Sequence, residues 1–154
     1  MESRSRWISL ALGLLAASAF ALAVQIAWWH VAEVTVGPFG SRHCFGGECR
    51  ETGLAWLDGS ELWMRAAVAT RAAGYIAMFI FVVLAGAVAA RRVPLLVARA
   101  SIVAVLTATA SAVYFIAAFP GLPEASLGVG AFLFAAGIVA GIAAAIVVLR
   151  SAPR

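Results

Sequence analysis

Four long apolar runs are the feature that most limits what this chain can fold into. Each run is about 20 residues long, and an α-helix of that length crosses a hydrocarbon core of about 30 Å. Charged residues make up only 12% of the chain, whereas about a quarter of the residues in soluble domains are charged. We therefore predict an all-α membrane protein in which residues 1–154 form one domain, a four-transmembrane-helix bundle. The predicted spans are 7–29, 65–90, 94–119 and 126–149, with a long loop over 30–64.

The placement of the arginines predicts the orientation of these spans. A formal charge of +4 could indicate a nucleic-acid partner, but the basic residues cluster at helix ends rather than on one face, so we expect none. Most of them flank one side of the bundle, which the positive-inside rule assigns to the cytoplasm. The lysine-free, alanine-rich composition is typical of a high-GC bacterium, so we expect a multi-pass protein of the bacterial inner (plasma) membrane with cytoplasmic termini and a periplasmic or extracellular loop 30–64. The cytoplasmic set is Arg4, Arg6, Arg91, Arg92, Arg99, Arg150 and Arg154.

A cleaved signal peptide is the alternative interpretation of the first apolar run. Arg4 and Arg6, the apolar stretch and the small residues at 17–19 resemble its three regions. The run continues to Trp29, which is too long for the apolar core of a signal peptide. We therefore expect it to remain as the first span, with tryptophans at both membrane interfaces.

The two cysteines lie on either side of a predicted tight turn. Gly46-Gly47 is a hairpin signal, because a type I′ turn needs positive φ at both central residues. The register that follows puts Cys44 opposite Cys49 at a closely spaced, non-hydrogen-bonded position, which suits a disulfide. We predict a small antiparallel sheet of three or more strands in loop 30–64, pinned by this disulfide.

Other local signals refine the loop and its borders. Alternation from His30 to Val36 predicts one half-buried strand. Ser60 is a predicted N-cap and Glu61 favours the first turn of the second helix, which would begin outside the membrane. Arg71 is expected near the outer interface, where its side chain can reach headgroups.

Polar and small residues within the spans predict close helix packing. Gln25 is expected to hydrogen-bond a neighbouring helix, with a substrate contact as the alternative. Small residues recur every four positions in the third and fourth spans and allow helices to approach closely, within the bundle or between copies. Pro94 suits the first turn of the third helix. The representative packing residues are Ala104, Ala108, Gly137 and Gly141.

Sequence motifs give no support for catalysis. The span interiors lack the acidic, histidine and lysine side chains that a proton or ion relay needs. A structural cystine is the preferred role of the cysteines, and two others stay open: a redox pair, which would need a second cysteine pair to reach quinone, and a metal site. That metal site would use His30, His43, Cys44 and Cys49. We predict no enzyme activity, no metal and no cofactor.

The layout resembles the claudin and peripheral-myelin-protein-22 superfamily of tetraspan proteins. Cys44 and Cys49 match the place of that family's loop disulfide, Arg65 or Arg71 is similar to the arginine that closes the first outer loop, and the segment 126–130 is similar to the start of its fourth helix. In claudins a Gly-Leu-Trp element precedes the first cysteine, whereas the comparable segment 53–56 follows the second here. The resemblance implies a four-helix fold and a non-enzymatic contact role.

Three functions remain as hypotheses. The first is a structural or interaction protein of claudin-like type, whose outer loop contacts a partner or another copy. The second is an accessory subunit of a larger transporter or respiratory complex, which the small-residue helix faces would join. The third is a quinone-linked thiol oxidoreductase. The candidate contact residues, which could alternatively pack the sheet onto the bundle, are Phe39, Phe45, Trp56 and Trp63.

Overall fold

The computed structural model describes residues 3–91 and 95–151. Within these ranges four helices are long and apolar enough to cross a membrane, in agreement with the four predicted spans. The predicted turn at Pro94 lies outside the described residues. The helices are α1 (Ser3–Ala23), α2 (Glu61–Ala89), α3 (Leu95–Ala117) and α4 (Val129–Arg150).

An aromatic cluster fills the bundle where the helices meet the sheet. Phe20 of α1 contacts Phe134 of α4 edge to face at 5.1 Å between ring centroids, and Phe134 in turn contacts Trp28 at 5.1 Å. Trp28 and Trp63 both contact Phe115 of α3, at 5.6 and 5.3 Å. All five side chains are almost fully buried, so this cluster ties the four helices together.

Small residues let the helices approach closely at mid-bundle. A methyl group built on Gly137 would lie 3.4 Å from Ala19, and one built on Gly141 would lie 2.5 Å from the Phe81 ring. Ala108 is fully buried, whereas Ala104 is only half-buried. Ala104 and Ala108 differ in burial because residues four apart are offset by about 40° around a helix of 3.6 residues per turn. A row of residues at this spacing therefore does not stay on one face.

A five-stranded antiparallel sheet lies at one end of the bundle. It is assembled mainly from the loop between α1 and α2, with one strand from the loop between α3 and α4. The predicted sheet of three or more strands is therefore confirmed, with a disulfide between its third and fourth strands. The strands are β1 (Trp29–Val31), β2 (Val34–Gly37), β3 (Gly40–Phe45), β4 (Glu48–Thr52) and β5 (Ser126–Leu127), in the spatial order β4-β3-β2-β1-β5.

The first helix ends at Ala23 rather than at Trp29. The Trp28 indole N–H donates to the Ala23 carbonyl at 2.8 Å, which satisfies one of the free carbonyls at the helix end. Trp28 and Trp29 are buried within the protein, whereas the side chains predicted at the membrane interface would be exposed to headgroups. Gln25 follows the helix, is exposed, and donates to Ala21 of its own helix at 3.0 Å rather than to a neighbour.

The single strand predicted from His30 to Val36 is wrong, because the chain reverses within it. β1 and β2 form a hairpin closed by the pair Val31 and Val34. Ala32, the first central residue of the turn, has φ of 49°, as in a type II′ turn. Alternation continues through a two-residue turn, and alanine gives no turn signal at a position where glycine is usual.

The helix borders on the sheet side follow local chemistry. The Ser60 hydroxyl accepts a hydrogen bond from the Trp63 amide at 3.2 Å, so the predicted N-cap of α2 is confirmed. The start of the fourth span differs from the prediction at 126, because Ser126 and Leu127 pair with β1 as strand β5. The Gly128 amide then donates to the Trp28 carbonyl at 2.7 Å, and α4 begins at Val129.

Candidate interaction surface on the sheet

The β3-β4 hairpin is organised by its turn and its disulfide. Gly46 and Gly47 both have positive φ, at 58° and 87°, as the predicted type I′ turn requires. Cys44 and Cys49 are register partners with Cα atoms 4.1 Å apart, and the disulfide joins them. The predicted register and cystine are therefore confirmed.

This register places two sets of side chains on opposite faces of the hairpin. Paired residues share a face and alternate along each strand. The disulfide lies on one face together with the pair Arg42 and Glu51. The three remaining pairs of β3 and β4 lie on the other face, which we call the first face. The first face carries Ser41 with Thr52, His43 with Arg50, and Phe45 with Glu48.

An open cavity of about 490 Å³ lies on the first face, and we call it the aromatic groove. Phe45 is 60% exposed and Trp56 is 43% exposed. The His43 ring lies between them, 4.7 Å from the Trp56 ring and 6.3 Å from the Phe45 ring. Charged side chains border these rings. The groove is lined by His43, Phe45, Glu48, Arg50, Thr52 and Trp56.

Trp56 is held in place by a buried hydroxyl. Its indole N–H donates to the Ser41 hydroxyl at 2.7 Å, and Ser41 is fully buried. The same hydroxyl lies 2.8 Å from the Thr52 hydroxyl and 3.0 Å from the Gly53 carbonyl. The ring is thus oriented before any partner arrives, which lowers the entropic cost of a contact.

The four aromatic residues selected from the sequence do not form one surface. Phe45 and Trp56 line the aromatic groove, whereas half-buried Phe39 lines a separate cavity with Arg42 and Glu51. Trp63 is fully buried and donates its indole N–H to the Phe115 carbonyl at 2.9 Å. A direct partner contact by the Trp63 side chain is therefore not supported in this structure, and its contacts are those of a core residue.

Sequence reasoning missed the polar members of the groove. Glu48, Arg50 and Thr52 carry no motif, yet the register predicted from the Gly-Gly turn already implied their common face with Phe45. Trp56 could not be placed in this way, because it lies beyond β4 in an irregular segment. Its position depends on the long-range hydrogen bond to Ser41.

A second exposed feature lies between two helices. An apolar cavity of about 620 Å³ opens between α2 and α3, and we call it the alanine groove. Ala104, a predicted packing residue, lines it, whereas Gly137 and Gly141 face other helices within the bundle. Its lining residues are Ala69, Ala72, Ala73, Ile76, Ile80, Ala100, Val103, Ala104 and Thr107.

The oxidised cysteines bear on the metal and redox hypotheses. Because Cys44 and Cys49 are bonded to each other, neither offers a thiolate to a metal. This sequence contains two cysteines, so electron relay to quinone would require a further cysteine pair from outside it. The arrangement favours a structural role for the cystine.

Comparisons with known proteins leave the resemblance to claudins as an expectation from sequence. No protein-family model, no curated protein sequence and no solved structure matches the chain significantly.

Proposed function

We propose that this chain is a non-enzymatic, multi-pass protein of the bacterial inner membrane, of claudin-like type, whose sheet contacts a partner protein or a second copy. Its termini would lie in the cytoplasm and its sheet in the periplasm. The observation that carries the proposal is the aromatic groove, in which exposed Phe45 and Trp56 lie on one rigid face. The four apolar helices and the disulfide-linked sheet supply the claudin-like layout.

The chemistry of the aromatic groove suits a protein contact. Tryptophan, phenylalanine and arginine are enriched at the centres of protein interfaces, where a few buried anchors supply most of the binding energy. Phe45 and Trp56 would serve as such anchors, and Glu48 and Arg50 can form the polar rim. Complete burial of a Phe side chain is worth about 1.5–3 kcal/mol. Because Phe45 is 60% and Trp56 43% exposed, covering both rings would supply part of the binding free energy, and the surrounding contacts would supply the rest.

The accessory-subunit hypothesis has a specific observation of its own. The alanine groove exposes small side chains between α2 and α3 over several turns, and small residues allow another helix to pack closely in lipid. A partner helix from a larger membrane complex would fit there without changing the sheet. The two proposals therefore predict contacts at different positions of the chain.

Site-specific photo-crosslinking in intact cells separates the two proposals. A photoreactive phenylalanine analogue is placed at Phe45, at Val103 in the alanine groove, or at the control position Phe132. Phe132 of α4 is 62% exposed, against 60% for Phe45, and lies outside both grooves. The interaction proposal predicts a product of constant mass from position 45 that Trp56→Ala abolishes. The accessory-subunit proposal predicts a product from position 103 instead.

Further measurements show which results contradict the interaction proposal and which support the accessory-subunit proposal. Alkaline extraction of membranes tests insertion, and thiol labelling of intact cells after reduction tests whether the sheet faces outward. Equal crosslinking at Phe45 and Phe132, in a chain that is inserted and outward-facing, contradicts the proposed contact. A stable product from Val103 that survives Trp56→Ala supports the second proposal.

A further inference from the structure

The cavity that Phe39 lines borders the Arg42 and Glu51 pair, which lies on the face of the hairpin opposite the aromatic groove, and we call this cavity the polar pocket. Its volume is about 260 Å³, smaller than the cavities that hold whole drug-sized ligands. Arg42 and Glu51 are register partners on this face of the sheet. The helices contribute Gln25, just after α1, and Arg71 of α2. The lining residues are Gln25, Phe39, Ser41, Arg42, Glu51 and Arg71.

One of the charged side chains that line the polar pocket has no ion-pair partner among the described residues. Arg42 pairs with Glu51 at 2.6 Å, and these two charges cancel. Arg71 has no ion pair and no hydrogen bond to any residue in 3–91 or 95–151. Arg65, on the same helix, is paired with Glu61 at 2.5 Å. The pocket therefore carries one positive charge that no residue of the described chain neutralises.

If the helices are inserted as proposed above, Arg71 lies at the level of the lipid headgroups. No charged residue occurs between Arg71 and Arg91. Their separation along the chain corresponds to about 30 Å of helix, the thickness of the hydrocarbon core. Arg71 thus lies at the boundary next to the sheet, where lipid phosphates are found. Beneath it on the same side of α2 are half-buried Tyr75 and exposed Val82, which can contact acyl chains.

We propose that the polar pocket binds the phosphodiester group of a phospholipid in the leaflet next to the sheet. Arg71 donates charge-assisted hydrogen bonds to the phosphate oxygens. The Gln25 amide has two N–H donors, of which one is used by the Ala21 carbonyl, so the second is free for the same phosphate. A phosphodiester carries one negative charge and neutralises Arg71, whereas inorganic phosphate would leave an excess of negative charge beside Glu51.

Native mass spectrometry of the full-length protein in mild detergent tests this assignment. The protein is titrated with phosphatidylglycerol, with diacylglycerol of the same chains, and with inorganic phosphate as competitor. Arg71→Gln should weaken phosphatidylglycerol binding about tenfold, the effect of losing a charged hydrogen bond. Arg65→Gln, the matched control, should leave binding within about twofold because Arg65 lies outside the pocket and is already paired. Diacylglycerol should not bind saturably, and millimolar phosphate should not compete.

Several results would overturn the assignment. Equal losses in Arg71→Gln and Arg65→Gln would indicate nonspecific attraction to basic residues. Saturable diacylglycerol binding would indicate an acyl-chain site, and competition by inorganic phosphate would indicate a general anion site. Circular dichroism of the Arg71→Gln variant should match the wild type, since Arg71 has no partner within the described chain. Alkaline extraction separates the two failures: an extracted chain contradicts membrane insertion, whereas an inserted chain with unchanged lipid binding contradicts only the phosphodiester site.

Discussion

Gly141→Ala tests whether the bundle is packed as tightly as its small residues indicate. The added methyl carbon would lie 2.5 Å from the tip of the Phe81 ring and 3.2 Å from a Val105 methyl group. Phe81 is fully buried, with its ring stacked parallel to Phe20 at 6.2 Å between centroids, so the ring has little room to move. Overpacking of this kind costs about 1–3 kcal/mol.

Gly86→Ala supplies the matched control for this prediction. A methyl group at Gly86 meets nothing within 4 Å, so that variant reports only the gain in helix propensity, about 1 kcal/mol in a soluble helix. We expect Gly141→Ala to be less stable than Gly86→Ala by about 1–3 kcal/mol in detergent unfolding followed by circular dichroism. On a Phe81→Leu background the difference should shrink, because the clashing ring is gone. Equal stability of the two alanine variants would refute the packing argument.

Three further variants test the sheet and the bundle, the first by limited proteolysis of the loop and the other two by unfolding in detergent. Replacing Cys44 and Cys49 by serine should lower the stability of the hairpin by about 2 kcal/mol, from the loop entropy of so short a ring, and unchanged protease resistance of the loop would contradict this. Trp63→Phe keeps the ring stack but leaves the buried Phe115 carbonyl without its donor, so we expect a loss of about 1–3 kcal/mol; a loss below this range would mean that the bond is dispensable. Thr70 is buried with its hydroxyl unpaired among the described residues, so Thr70→Val should be neutral or stabilising by about 1 kcal/mol, and a clear loss would reveal a hydrogen bond to that hydroxyl.

The features that the sequence predicted are those with strong local or compositional causes. Helix number follows from long apolar runs, and the disulfide register follows from Gly46-Gly47, since only a few turn types permit two positive φ values. The cap at Ser60 is likewise a local hydrogen bond between near neighbours. Each of these could be derived without knowing which elements meet in space.

The features that the sequence did not predict depend on contacts between distant segments. The turn at Ala32 carries no turn residue, and the two-residue strand β5 is too short to show any periodicity. Tryptophan is typical of membrane interfaces, but the indole N–H groups of Trp28 and Trp63 donate to carbonyl groups inside the protein. The hydrogen bond of Trp56 to Ser41 and the placement of Gln25 and Arg71 around one cavity likewise require the folded chain.

The pairing of β5 with β1 has a consequence for how the protein is made. His30 and Ser126 are register partners separated by 96 positions in the chain. A ribosome therefore releases β1 well before the segment that will cover its outer edge, while the neighbouring hairpins can close at once from local contacts. Until β5 has left the ribosome, that edge stays open to pairing with other nascent chains or to protection by a chaperone. Chains held on the ribosome with β5 still inside the exit tunnel should expose this edge, and chains released from the ribosome should not.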